Sequence, residues 1–330
     1  MGILIVSTNN DQTTNEVIEW LNQFVEERIY RINETDEIDI SYIDLSSNQL
    51  NFNILINSEL SVSYEDISFF FYRRGILNPK PAIFMSFLNQ IDLKDQLLDF
   101  LDSEWSAIED LIFRLLKERK SLGDYHQSQV NKLKNLLIAK GCGFKIPDTI
   151  ISNRWENLSD FYLKSPAISK PIGEAFNIGY MGAYIKPFTV EVSHETGLNE
   201  NKGRIFPTLL QEKIEKWIEL RVFVLYEELF AMAIFSQNNE RTSIDYRNYD
   251  FEKMNRMVPF ELPESIQRKI RCFMRKASLD TGSVDLILSK DKEYVFLEVN
   301  PAGNIEMVSH SCNYYIEKRI AQRIKEKLYE

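Results

Sequence analysis

Two strand-like runs joined by a short polar turn, SVDLILSKDKEYVFLEVNP from Ser283 to Pro301, constrain the fold more than any other stretch. With the turn centred on Asp291-Lys292, Asp285 falls opposite Glu298. Asn300 lies one pleat further along the same face. Cross-strand neighbours have Cβ atoms about 5 Å apart, so three oxygen-bearing side chains converge. Two like charges placed opposite each other destabilise a sheet unless a cation joins them. Carboxylates with a carboxamide oxygen suit a hard cation such as Mg²⁺, which takes one or two protein carboxylates and completes its shell with water and phosphate oxygens. The other face, Leu286, Leu288, Val295, Leu297 and Val299, is expected to pack. A slip of one residue in register undoes the convergence. The alternative is an exposed hairpin edge with ordinary polar residues.

The rest of the chain divides by pattern. Residues 3 to 7, ILIVS, read as a buried strand. In TTNEVIEWLNQF, Thr13 and Glu16 have capping-box spacing, and Val17, Trp20, Leu21 and Phe24 make a helical stripe. DISYIDL and SFFFYRRG read as further strands, so residues 1 to about 80 predict an open α/β sheet. Residues from about 90 to 140 read as helical. QVNKLKNLLIAKG is expected to end at Gly141 as the C′ residue. From about 160 onward AISKPIG, YIKPFTV, PTLLQEKI, IELRVFVL and LFAMAIFS are short strands, with helices near 155–164, 263–279 and 310–328. That half is α+β with antiparallel hairpins. The expected domains are 1–125 with a helical extension, 126–205 and 206–330.

Composition narrows the function. A net charge of -10 over 330 residues argues against nucleic-acid binding as the main activity. No apolar run approaches the about 20 residues of a membrane span, and the N-terminus lacks the basic region of a signal peptide. The three cysteines, Cys142, Cys272 and Cys312, are far apart with no CxxC, which fits a reducing cytoplasm and no zinc site.

Other residues point to phosphate chemistry. Lys170 ends the strand AISK beside a loop bearing Gly173, Gly179 and Gly182, a place where phosphates are held. The alternative is a surface lysine before a proline turn. In IELRVFVL, Glu219, Arg221 and Phe223 share a face. A buried arginine needs a partner, whether an anionic ligand or a structural ion pair. Arg73 and Arg74 end a strand of the first domain, where open α/β sheets gather ligands. They are equally expected to pair with carboxylates.

In order along the chain these segments resemble the ATP-grasp superfamily. KLKNLLIAKGCGFKIPDTIIS resembles the segment leading into its central domain. ISKP resembles the motif of the nucleotide lysine, Lys170. QEKI, Gln211 to Ile214, resembles the hinge whose backbone meets adenine. ELRVFV brings Glu219 and Arg221, and VDLIL with FLEVNPAG brings Asp285, Glu298 and Asn300 as metal ligands. STNNDQTTNEVIEWLNQ, RINETD, FFFYRRG, SQNNERTSIDYRNYD and HSCNYYIEKRIAQ further resemble the ATP-grasp maturases of ribosomal peptides, the graspetide or microviridin-type ligases, and most closely the maturase of the grasp-with-spasm systems. The loop after Lys170 departs from a compact Gly-Gly-Ser-type cover.

The resemblance implies an ATP-grasp fold behind an N-terminal pre-ATP-grasp domain. It implies a ligase using ATP and Mg²⁺ in the cytoplasm on a precursor peptide with leader and core. An Asp or Glu side chain becomes an acyl phosphate, and a Ser or Thr hydroxyl or a Lys amine closes an ω-ester or ω-amide ring. Lys170 is implied to hold phosphates and Arg221 the transferring phosphoryl group. Glu219 is implied to orient Arg221 or the ribose. Asp245 and Arg247 fall on the substrate side, receiving the nucleophile's proton or holding the acceptor carboxylate. A homodimer or higher homo-oligomer is expected. The alternatives are an intermolecular ligase of the ribosomal-protein glutamate ligase type, a non-catalytic nucleotide- or peptide-binding module, and a small-molecule kinase.

Overall fold

A computed structural model describes residues 1–46, 51–79, 94–128, 131–173, 178–180, 183–185, 189–192, 204–238 and 254–330. The chain forms two compact units, Met1–Gln129 with Tyr315–Glu330, and Val130–Tyr314.

The first unit opens with β1 (Gly2–Ser7), α1 (Gln12–Phe24) and β2 (Arg28–Asn33), followed by β3 (Glu37–Asp44), β4 (Asn51–Ile56), β5 (Leu60–Ser63), β6 (Ile67–Tyr72) and β7 (Asn78–Pro79). The long helix α2 (Lys94–Glu118) and β8 (Lys120–Leu122) complete its first pass. One sheet has the order β2-β1-β6-β8 and all its pairs are parallel. A second has the order β5-β4-β3-β7. Residues 3 to 6 of β1 are wholly buried, as a parallel strand covered on both faces requires.

α1 begins two residues earlier than the Thr13/Glu16 spacing implies. Its N-cap is Asp11, whose side chain accepts from Thr14 N at 2.9 Å, and Thr13 lies buried in the first turn. The Asp11 carboxylate also faces Arg73 at 3.6 Å and Arg74 at 3.8 Å. With Arg73 only 5% exposed, its contact is a structural ion pair.

The second unit comprises α3 (Lys132–Gly141), β9 (Thr149–Arg154), α4 (Trp155–Tyr162), β10 (Ala167–Ser169), β11 (Ile178–Tyr180), β12 (Ala183–Ile185), β13 (Val190–Val192) and β14 (Arg204–Glu212). These are followed by β15 (Lys216–Leu225), β16 (Glu228–Phe235), β17 (Arg256–Pro259), α5 (Glu264–Lys276), β18 (Thr281–Ser289), β19 (Tyr294–Asn300) and α6 (Glu306–Cys312). A sheet of order β13-β10-β14-β9 leads into a five-stranded antiparallel sheet of order β17-β16-β15-β18-β19. One face of the latter packs Ile218, Leu220, Val222, Val284, Leu286 and Phe296 against Leu136 of α3 and Ile270 and Phe273 of α5. Glu219, Arg221 and Phe223 fall on the other face, as their alternation implies.

α3 runs through Gly141 and is capped by Cys142. The left-handed residue is Gly143, φ +83°, two positions beyond the expected C′ glycine. The helical run expected over 310–328 is broken at Asn313 and Tyr315, both with positive φ, and its second part is α7 (Ile316–Tyr329). α7 belongs to the first unit. No helix of the described residues is long and apolar enough to cross a membrane.

Candidate functional site

A cleft in the second unit opens between the β10–β14 and β15–β18–β19 strands, with an empty volume of about 960 Å³ including the solvent at its mouth. Lys170, Gln211, Glu212, Lys213, Ile214 and Glu219 line it, as do Asp285 and Glu298. The cleft therefore gathers eight of the residues singled out from sequence, drawn from four strands and two connections.

The β18–β19 hairpin sets the acidic end. Asp285 pairs with Glu298 and Ser283 with Asn300. Near the turn, Leu286 pairs with Phe296 and Leu288 with Tyr294. That register, continued, would put Leu297 opposite Asp285. One extra residue on β19, a β-bulge, shifts the pairing and turns Glu298 into the cleft. The bulge also corrects the expected packing face. Tyr294, Phe296 and Val299 face the core, while Leu297 lines the cleft. Asn300 Nδ2 stands 3.5 Å from Asp285 Oδ2. The following turn is tight. A Cβ on Gly303 would lie 2.5 Å from Ser283 Oγ and 3.1 Å from the Asn300 carbonyl, which accounts for the glycine after Pro301-Ala302.

A row of charges crosses the sheet at this level. Arg221 pairs with Asp285 in register on β15, its Nε 3.6 Å from Asp285 Oδ1. On the other side Lys132, the first residue of α3, brings Nζ to 3.5 Å from Glu298 Oε2. The order is thus arginine, aspartate, glutamate, lysine. Each of the two adjacent carboxylates thus has a cation on its outer side, which offsets their mutual repulsion.

A second bulge shapes the middle of the cleft. Lys216 pairs with Ser289 and Ile218 with Leu288, leaving Trp217 as the extra residue. Regular alternation would point Lys216 into the core with Ile218. The bulge instead brings Lys216 Nζ to 3.0 Å from Glu219 Oε1, with both residues buried. Ser236 Oγ donates to the same oxygen at 2.6 Å. Glu219 is thereby held by Lys216 and Ser236. Lys216 and Lys132 were not picked out from sequence. No apolar–polar alternation flags a lysine displaced by a bulge, and a lysine at a helix start looks like any solvated residue.

At the other end the chain passes from β14 to β15 through Lys213 and Ile214. Glu212 N donates to Asp148 O at 2.9 Å and Lys213 N to Pro166 O at 2.8 Å. Lys213 Nζ is held by Glu191 at 2.6 Å. Apolar Ile168, Ile214, Ile287 and Leu297 also line the cleft, surface suited to a flat heterocycle. Gln211 is 1% exposed and donates to Thr149 Oγ1. Lys170 follows β10 and projects into the same cleft. Asp245 and Arg247 lie outside the described residues, as do most of the glycine loop after Gly173 and Gly182.

The donor set fits a divalent cation. Asp285 and Glu298 face each other across one strand pair, and Asn300 can turn its amide oxygen toward the same point. Lys170 and Lys216 line the same cleft among apolar side chains, and Lys132 stands behind Glu298, a set fit for a polyphosphate that carries a base.

The sequence matches no family profile and no curated protein. Among solved structures it is similar to a RiPP-associated ATP-grasp ligase of Chryseobacterium gregarium, in complex with ADP and a leader and core peptide, at 27% identity and TM-score 0.78 over 99% of this chain and 96% of that one. It is similar to the macrocyclase MdnC of Microcystis aeruginosa, bound with the precursor peptide MdnA, at 24% identity and TM-score 0.75 over 98% and 99% of the two chains. A D-alanyl-alanine synthetase A from Vibrio cholerae aligns at 12% identity and TM-score 0.59 over 100% and 98%. The last two likenesses are of fold.

Proposed function

We propose, from the premise that this chain is an ATP-grasp ligase of the kind that matures ribosomal peptides, that it activates Asp or Glu side chains of a precursor peptide and closes them into rings. The observation that carries the reading is the facing pair Asp285 and Glu298 in one cleft with Lys170 and the Gln211–Ile214 hinge.

ATP would lie with its base at the hinge and its phosphates toward the acidic end. Lys170 and Lys216, which line the cleft, are the ammonium groups assigned to the phosphate oxygens. Glu219 holds Lys216 in place. Asp285, Glu298 and Asn300 would hold Mg²⁺. Bound there, the ion neutralises charge developing on the phosphoryl group and links nucleotide to protein. Arg221, 8% exposed behind Asp285, steadies the Asp285 carboxylate and lends positive charge to the reacting centre.

In the first step a peptide carboxylate oxygen attacks the γ-phosphorus of ATP, ADP leaves, and an acyl phosphate forms. In the second a Ser or Thr hydroxyl or a Lys amine of the same peptide attacks the acyl carbon. Phosphate leaves and the nucleophile loses its proton. Holding both groups of one peptide in reach supplies on the order of 7–11 kcal/mol of the barrier. We assign the substrate side to residues around Asp245 and Arg247 from the resemblance alone. The working form is proposed as a homo-oligomer in the cytoplasm.

Mass spectrometry of the peptide after incubation with enzyme, ATP and Mg²⁺ tests this. Each ring removes one water from a single peptide. A gain in mass matching a second amino acid or peptide overturns the macrocyclase reading in favour of intermolecular ligation. A stable phosphorylated product overturns it in favour of a kinase.

A further inference from the structure

Two cysteines 130 positions apart meet behind the cleft. Cys142 Sγ and Cys272 Sγ are 2.6 Å apart, about 0.6 Å beyond a disulfide bond length. Cys142 caps α3 and Cys272 lies within α5. Both are partly exposed, whereas Cys312 is buried, so a small thiol reagent can reach the pair. The contact belongs to a built junction. Lys276, one helical turn on from Cys272, donates to Gly141 O at 3.1 Å. Lys269, one turn before it, places its ammonium 5.6 Å from the Phe144 ring. One face of α5 thus grips the turn from Gly141 to Phe144. The next residue, Lys145, accepts from Phe296 N at 2.9 Å, tying the turn to β19, the strand of Glu298 and Asn300.

We propose that Cys142 and Cys272 are a dithiol that closes to a disulfide, a modification site that fixes the end of α3 on α5 and stabilises the second unit. The oxidant is a small-molecule disulfide RSSR. One cysteine thiolate attacks a sulfur of RSSR, and RS⁻ leaves and takes up a proton. The second cysteine sulfur attacks the mixed disulfide, expelling the other RS⁻, and its proton ends on that thiolate. The two protein sulfurs are oxidised and RSSR is reduced to two RSH. Burial, followed by the hydrogen bond to Cys272, pushes the Cys142 thiol up to about 11. Exchange at neutral pH is therefore slow, and a bridge once formed is long-lived. A cross-link closing so long a loop restricts the unfolded chain strongly.

The test is independent of the ligase reading. The full chain is incubated with oxidised glutathione at pH 8, quenched, unfolded without reductant and alkylated. The expected product carries one alkyl group, on Cys312, and yields a linked peptide pair containing residues 142 and 272. Three alkylated cysteines, glutathione retained on either residue, or pairing through Cys312 would overturn the proposal. The oxidised protein should melt on the order of 5 °C or more above the reduced form, and Cys272→Ser should abolish that rise. An oxidised form with the linked peptides but an unchanged Tm would overturn the stabilising role.

Discussion

Asp285 stands where two kinds of contact meet. It faces Glu298 on one side and the Arg221 guanidinium on the other. Asp285→Asn keeps the shape of the side chain and removes the charge that a divalent cation needs. Turnover is expected to fall by roughly a thousandfold or more, the scale of losing a preorganised electrostatic group, while circular dichroism shows the fold retained. Undiminished peptide dehydration would contradict the assignment. Lys216 has a different expected signature. Its ammonium sits on Glu219 at the wall of the cleft, and phosphate binding is its proposed role. Lys216→Met keeps the stem and loses a charged contact of about 1.5–3 kcal/mol, so KM for ATP should rise about tenfold or more with a smaller change in kcat. An unchanged KM would show that Lys216 serves the structure alone.

At the scale of elements, the site depends on two β-bulges and one tight turn. Gly303 folds the chain back over Ser283. Gly303→Ala forces Ser283 and the Asn300 carbonyl apart. It should cost about 1–3 kcal/mol in stability and weaken binding of Mg²⁺ with ADP, both read by calorimetry. Ser283→Gly in the same chain should restore much of both, and a double variant no better than Gly303→Ala would contradict the packing account. Such details separate what was legible in the residues from what was not. Parity along single strands was legible: Glu219, Arg221 and Phe223 share a face, and Asp285 meets Glu298. The Asp285–Glu298 pairing follows from counting outward from the turn, yet the register nearest the turn differs by one. An extra residue at Leu297 makes up the difference, which is why Leu297 lines the cleft and Phe296 packs in the core, against what alternation alone implies. Lys216 is not legible for the same reason, its face being set by the extra residue at Trp217. Helix ends were misplaced by one turn or less where several residues compete as caps: Asp11 against Thr13 in α1, Gly143 against Gly141 in α3. Lys132 depends on how α3 packs against β19, a tertiary fact that spacing does not encode.

For the whole molecule, the chain returns in α7 to the unit it began with. α7 buries Ile316, Ile320, Ala321 and Ile324, several kcal/mol of apolar burial at about 1.5–3 kcal/mol per large side chain. Truncation at residue 314 should therefore lower hydrogen-exchange protection in α1 and β8 first. Protection lost equally in β15, β18 and β19 would contradict this division of stability. The central claim concerns the path of one oxygen atom. A precursor peptide that the enzyme dehydrates, labelled with ¹⁸O in its Asp and Glu side-chain carboxyls, is to be incubated with enzyme, ATP and Mg²⁺, and the released phosphate analysed by mass spectrometry. Activation as an acyl phosphate predicts one ¹⁸O in one phosphate for every water lost from the peptide, and none with Asp285→Asn. Phosphate without label beside a dehydrated peptide, or label carried off in AMP, would contradict it.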